Sequence, residues 1–208
     1  MEWEAIIGGE IASSLAVESV KNYVKNYFAS IQLEKESILQ FLKEVIQYAN
    51  NVVYQRSREI KTLEEMGTTI EICLIYNDKV FIAHIGDSRV YRIRKNFIRR
   101  LTTDHSYVEK LVKDGTITRE QSYSHPKKNM LTRALGCNPE VEPEIMVKGF
   151  LKGDVLLICS DGLTNMVSEN EIYGIIRTNI EKANEILVSR ANENGGLDNI
   201  SVIIIENN

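Results

Sequence analysis

Val155-Leu156-Leu157-Ile158-Cys159-Ser160-Asp161-Gly162 opens with five apolar residues in a row and ends in an aspartate between a serine and a glycine. A run without polar alternation reads as a strand covered on both faces, which places it inside a layered structure. Downstream, Ser168 with Glu171 forms a capping box that opens one helix. Residues 181–194 carry a second helix, stopped by Gly195-Gly196, and residues 200–205 form another apolar strand. Upstream, residues 68–76 are rich in β-branched side chains, Asn77-Asp78 supplies a turn, and a second strand occupies 80–85. Val90, Tyr91 and Ile93 meet Phe97, Ile98 and Leu101 across Lys95-Asn96, another hairpin connection, so the middle of the chain reads as an antiparallel meander.

Two long helices precede these strands. Ile11, Ala12, Leu15, Ala16, Val20, Tyr23, Val24, Tyr27 and Phe28 recur at three and four, and residues 38–53 repeat that spacing with no Gly or Pro before Gly67. Residues 104–143 depart from the sheet pattern, with a short helix from Ser106 ending at Gly115 and a capping box from Thr118 to Gln121. Two helices, a meander, an excursion, a strand, two helices and a strand predict an α+β fold. Helices on both outer faces of two stacked antiparallel sheets would bury each apolar face once, giving an α-β-β-α four-layer sandwich. No repeat, low-complexity tract or linker interrupts the chain, so residues 1–208 read as one domain.

The apolar fraction of 43% and charged fraction of 26% suit a globular protein with its own core. A net charge of -4 opposes bulk attraction to nucleic acid or anionic lipid. No apolar stretch approaches the roughly 20 residues of a membrane span, and Glu2 and Glu4 stand where a secretory leader would be basic. The cytoplasm is the expected location. Arg89, Arg92, Arg94, Lys95, Arg99 and Arg100 crowd one stretch, and Lys127-Lys128 another; both read first as solvated faces. Cys73, Cys137 and Cys159 are widely spaced, which favours reduced thiols over a disulfide or a zinc site.

Three aspartates stand at strand margins beside turn-permitting residues, in Gly86-Asp87-Ser88, Ser160-Asp161-Gly162 and Gly196-Leu197-Asp198-Asn199. Any one alone passes as a turn former. Asp161 closes one strand and Asp198 opens another, however, so antiparallel neighbours would bring both carboxylates to the same end of the sheet. Converging carboxylates repel unless a proton or a cation intervenes, and hard oxygen donors suit magnesium or manganese.

Met66-Gly67-Thr68-Thr69, His84-Ile85-Gly86-Asp87-Ser88-Arg89, Thr103-Asp104-His105-Ser106, Ser124-His125-Pro126, Arg133-Ala134-Leu135-Gly136, Cys159-Ser160-Asp161-Gly162-Leu163 and Asp198-Asn199-Ile200 succeed one another in a set order. In order and spacing the series resembles the motifs of bacterial protein phosphatase 2C (PPM-type) enzymes, from Gly9 to the C-terminus. The resemblance implies metal-dependent hydrolysis of phosphoserine and phosphothreonine on proteins, by a water that two or three Mn²⁺ or Mg²⁺ ions acidify. It implies Asp161 and Asp198 as ligands of a binuclear centre that carries the catalysis, and Asp87 with Asp161 as holders of a third metal. It further implies Gly162 as a close backbone approach to the ions, Asn199 as support, and a mobile flap over about 106–131. His105 and His125 fall outside the ligand positions and are assigned to packing or to the flap hinge.

The family pattern also has a leading β segment with a phosphate-binding arginine and an Asp-Gly-Met-Gly-Gly signature. Gly8-Gly9-Glu10-Ile11-Ala12-Ser13 matches the residues next after that signature, so the N-terminal strands are expected to be missing. Glu2 and Glu4 read as helix-lead acids rather than substitute ligands. Weak turnover is then expected of the chain, and unpaired sheet edges predict a homodimer. Two functional readings result: an active phosphatase acting on phosphoproteins of a cognate kinase, or a catalytically silent module that binds phosphoproteins or a partner domain. A metal-dependent nuclease is opposed by the acidic charge.

Overall fold

The computed structural model describes residues 8–59 and 66–208. Its elements run α1 (Gly9–Tyr27), α2 (Lys35–Glu59), β1 (Ile70–Tyr76), β2 (Lys79–Ile85), β3 (Arg89–Arg94), β4 (Phe97–Arg100), α3 (Tyr107–Lys113) and α4 (Arg119–Tyr123). They continue as β5 (Glu144–Gly149), β6 (Val155–Cys159), α5 (Asp161–Thr164), α6 (Glu169–Thr178), α7 (Ala183–Glu193) and β7 (Val202–Glu206). The α+β class of helices with two antiparallel sheets is borne out, with strand orders β1-β2-β5 and β4-β3-β6-β7 among the described residues. Two compact units divide the chain: one of described residues up to 74 with 81–86 and 104–148, the other of 75–80, 87–103 and 149–208. No described helix is long and apolar enough to cross a membrane.

In the first unit α1 lies on α2 through aromatic contacts, with Tyr23 centred 5.7 Å from Phe41 and 5.1 Å from Tyr48. The stripe of α2 that the spacing predicted is buried, including Ile38, Phe41, Val45 and Ala49. Asn50 on the same stripe is fully buried. It donates to the carbonyls of Asn138 and Pro139 and accepts from the N–H of Gly136, tying the loop after the excursion to the helix. Gly136 is required there, because its φ is +87° and a Cβ would lie 2.4 Å from Val53.

The predicted meander is corrected: the two hairpins belong to different sheets. Asn77 and Asp78 both take positive φ, the geometry of a two-residue turn between antiparallel strands, and so close β1 onto β2. The chain then leaves that sheet at Gly86, whose φ of +110° and whose close approach to Thr69, 2.3 Å from where a Cβ would stand, exclude other residues. β3 therefore starts a new sheet with β4 on one side and β6 on the other. Strand β5 went unpredicted; its only signal is the short Ile145-Met146-Val147 run after Pro143.

The second unit confirms the strand covered on both faces. Val155, Leu157 and Cys159 pack with Ile172, Ile176 and Leu187 of the helices, while Leu156 on the opposite face is fully buried too. Ser168 caps α6 by accepting from the Glu171 N–H. Thr118 and Gln121 form the complete reciprocal box at α4. None of the three cysteines is in a disulfide among the described residues, in line with the reduced thiols expected. Burial, then the charge of Glu71, pushes the Cys73 thiol up to about 12, so it stays protonated.

Candidate metal centre

The register of the second sheet determines which aspartates meet. β3 and β6 pair with Arg89 opposite Cys159, so Asp87, two residues before Arg89, and Asp161, two residues after Cys159, stand at the same end of that pair of strands. β6 and β7 pair with Cys159 opposite Val202, and the Ser160 N–H continues the ladder to the Ser201 carbonyl. Asp87, Asp161 and Asp198 thus gather at one end of one sheet.

Asp161 is not the last strand residue, as the sequence implied, but the first of α5. Its carboxylate accepts from the side-chain amide of Asn165 at 3.0 Å. Burial, and then the negative charge of Asp198, raises its pKa, against the opposing pull of the Gly162 N–H, the Asn165 amide and Arg89. A carboxylate destabilised by burial and by a second carboxylate is where a divalent cation stabilises most, and the donors are hard oxygens. These residues fit Mn²⁺ or Mg²⁺. Sequence reasoning missed the parts that Asn165 and Arg89 play beside Asp161; for Asn165, the i, i+4 spacing from Asp161 was the available signal.

The loop before β7 is held by bonds that do not involve Asp161. Asp198 accepts from the Asn199 N–H at 2.7 Å, and Ser160 Oγ donates to the Asn199 carbonyl at 3.0 Å while accepting from the Ser201 N–H at 3.0 Å. A Cβ on Gly162 would stand 2.3 Å from that same carbonyl. In this structure the close approach that Gly162 permits is to the backbone of Asn199. Glu2 and Glu4 lie outside the described residues.

His84, His105 and Glu144 in the first unit also come within 4.8 Å of one another, which sequence spacing did not reveal. This group is a poor cation site. His105 Nδ1 accepts from the Gly86 N–H at 3.2 Å, and Arg133 Nη1 stands 3.3 Å from His105 Nε2, where a metal would have to sit. Burial, then the charges of His84, Arg133 and Lys113, pushes the imidazole down to about 3 and keeps it neutral. The backbone N–H of His105 also donates to the Gly86 carbonyl, and its own carbonyl accepts from Thr132. This pins the start of the 106–131 excursion, which closes through the Ser106–Leu131 bridge and a bond from Tyr107 N to Met130 O. Of the two roles expected of His105, packing or the flap hinge, its burial and contacts show the packing.

Comparison with known proteins matches the chain to a family. The family model for protein phosphatase 2C matches residues 5–186. The serine/threonine phosphatase stp of Listeria monocytogenes serotype 4b is 40% identical over 201 residues, which cover 95% of this chain and 79% of that protein. Protein phosphatase PhpP of Streptococcus pneumoniae is 35% identical over 205 residues, covering 97% and 83%. Among solved structures, serine/threonine phosphatase Stp1 of Staphylococcus aureus superposes with a TM-score of 0.89 at 32% identity, over 98% of this chain and 80% of that one. The catalytic domain of PstP in complex with two manganese ions gives 0.82 at 28% identity, over 98% and 83%. With its motif series, its two sheets and this breadth of similarity, the chain belongs to the protein phosphatase 2C family of serine/threonine phosphatases.

Proposed function

We propose that the chain hydrolyses phosphoserine and phosphothreonine on proteins with Mn²⁺ or Mg²⁺, that Asp161 and Asp198 hold the binuclear pair, and that Asp87 with Asp161 holds a third ion. The observation that carries this reading is the convergence of the Asp161 and Asp198 carboxylates at a single sheet end, where burial and then Asp198 raise the proton affinity of Asp161. When bound, the ions supply an acidified water and offset the charge developing on phosphorus. The chain's own residues keep the donors in place. Asn165 fixes the rotamer of Asp161, and the Ser160–Asn199 bond fixes the loop that carries Asp198.

The test is hydrolysis of a phosphothreonine peptide across a Mn²⁺ titration, with Asp161→Ala beside the parent chain. Mn²⁺-dependent turnover lost in the variant is expected. Absence of turnover at saturating Mn²⁺, with phosphopeptide binding retained, would replace catalysis by the silent binding module.

Residues 1–208 act as one phosphatase domain in this proposal, and the family match extends through parts of both compact units. The substrates are phosphoproteins of a cognate serine/threonine kinase in the cytoplasm. Pairing of two copies through β7 is supported by its position at the edge of the described sheet, with Ile203 56% exposed. A cavity of about 420 Å³ lies beside it, lined by Ile180, Glu181, Asn184 and β7 residues. Sedimentation of the chain and of Ile203→Lys tests the dimer.

A further inference from the structure

The basic stretch between 89 and 100 is not absorbed by the metal centre. In the hairpin of β3 and β4, turned at Lys95-Asn96, Tyr91, Ile93 and Ile98 pack toward the helices, so alternation sends Arg92, Arg94, Phe97 and Arg99 to the other face. The register sets Arg92 directly opposite Arg99, a like-charge pair that costs stability unless an anion compensates it.

The neighbouring carboxylate is already used. Asp154 takes both branches of Arg94 at 2.6 Å and the Leu151 N–H at 2.7 Å. Arg92 gives one N–H to the Gly149 carbonyl at 2.7 Å, and its Nε is buried without a partner. Burial, then Arg94, lowers the proton affinity of Arg92, with Arg99 adding to the effect and Asp154 opposing it, as expected of a cation short of negative neighbours. Apolar surface adjoins the charges: Phe97 is 74% exposed and Leu151 48%. Finally, β4 is an edge among the described strands, so its outer backbone groups can take a further strand.

We propose that the β3–β4 hairpin is a docking site for an acidic, extended segment of the phosphoprotein substrate, which pairs with the edge of β4, sets carboxylates against Arg92 and Arg99, and covers Phe97. Strand addition provides affinity through the backbone and selects side chains on alternate positions, which suits a peptide with an acid at every second residue. Nucleic acid is the poorer occupant for a chain of net charge -4. The hairpin lies at the end of the sheet away from the aspartates, five residues along β3 from Arg89 to Arg94, or about 17 Å. An acidic tract beginning about five or six extended residues from the phosphoresidue can therefore engage both ends at once. The docking role rests on the phosphatase reading, but binding can be measured without turnover.

The direct test is fluorescence anisotropy with a labelled peptide of alternating Glu and Val, using the parent chain and a Lys95→Glu/Arg99→Glu variant. Both side chains are exposed, so the fold is kept. At least a tenfold loss of affinity in the variant, and weakening of parent binding between 50 and 300 mM salt, are expected. Equal affinity in the two proteins, or tighter binding of a single-stranded RNA of matched charge, overturns the proposal. A phosphothreonine peptide joined to the tract should show a lower KM than the same peptide alone, with kcat unchanged, and the variant should erase the difference. Peptide binding without turnover of any phosphopeptide would refute the phosphatase reading alone; turnover indifferent to the tract would refute docking alone.

Discussion

Replacing Gly162 by alanine perturbs the metal centre without touching a carboxylate. The new Cβ would stand 2.3 Å from the Asn199 carbonyl oxygen and 3.0 Å from its carbon, both backbone atoms that cannot rotate aside. Relief requires the Asn199 segment to move by about 1 Å, against the Ser160–Asn199 bond and the ladder beyond it. Overpacking of this kind costs about 1–3 kcal/mol. The residue lies in α5, where alanine alone is favoured over glycine by about 0.5–1 kcal/mol, so the net loss is up to about 2.5 kcal/mol. Asp198 adjoins Asn199 and is bonded to its N–H, so it moves with the segment. Displaced support of a ligand typically weakens metal affinity by about 10–100-fold. Calorimetric titration with Mn²⁺, at a temperature where both proteins are folded, measures this, and chemical denaturation measures the stability. Gly174→Ala in α6 is the control, because nothing lies within 4 Å of its Cβ; it should stabilise by about 0.5–1 kcal/mol. A Gly162→Ala protein as stable as the parent, with Mn²⁺ affinity within about twofold, would refute the argument from the Asn199 contact.

Two further outcomes concern the first unit. His105 has a folded pKa of about 3 against an ordinary 6.5, so the unfolded chain binds the extra proton; its contribution is complete above about pH 6.5 and is lost as pH falls toward 3. His105→Asn keeps an acceptor for the Gly86 N–H, and its urea stability should fall less steeply over that window, by up to about 1.4 kcal/mol per pH unit. An unchanged slope would refute the buried neutral imidazole. Asn50→Ala strands the Gly136 N–H and removes the donor to two carbonyls, so a loss of about 2–3 kcal/mol in urea unfolding is expected, and a loss under about 0.5 would count against that clamp.

How much of this was legible in the sequence depended on whether a residue's partner lay close in the chain. The stripe of α2, the Thr118 box and the turn at Asn77-Asp78 are set by neighbours within four residues, and each appears where its spacing placed it. The split of the meander into two sheets was illegible, because Gly86-Asp87-Ser88 reads equally as a tight turn and as a change of sheet. Only the contact with Thr69, 17 residues earlier, distinguishes them. The same holds for the buried histidines, since His84 and His105 stack 4.5 Å apart across 21 residues with no shared motif.

Gly162 shows the limit most sharply. A glycine beside a ligand aspartate reads as room for a metal, and the family resemblance reinforces that reading. The described atoms give it another cause: helix α5 passes so close to Asn199, in the loop before β7, that no side chain fits between them. The two explanations make different demands on the protein. Room for an ion matters only when metal is bound, whereas contact with Asn199 must be satisfied in every folded molecule. Gly162→Ala should therefore lower stability already in metal-free protein, and the displacement of Asp198 from its place beside Asp161 should appear on top of it as a separate loss of Mn²⁺ affinity. A stability loss seen only with Mn²⁺ present would return the glycine to the role its motif first suggested.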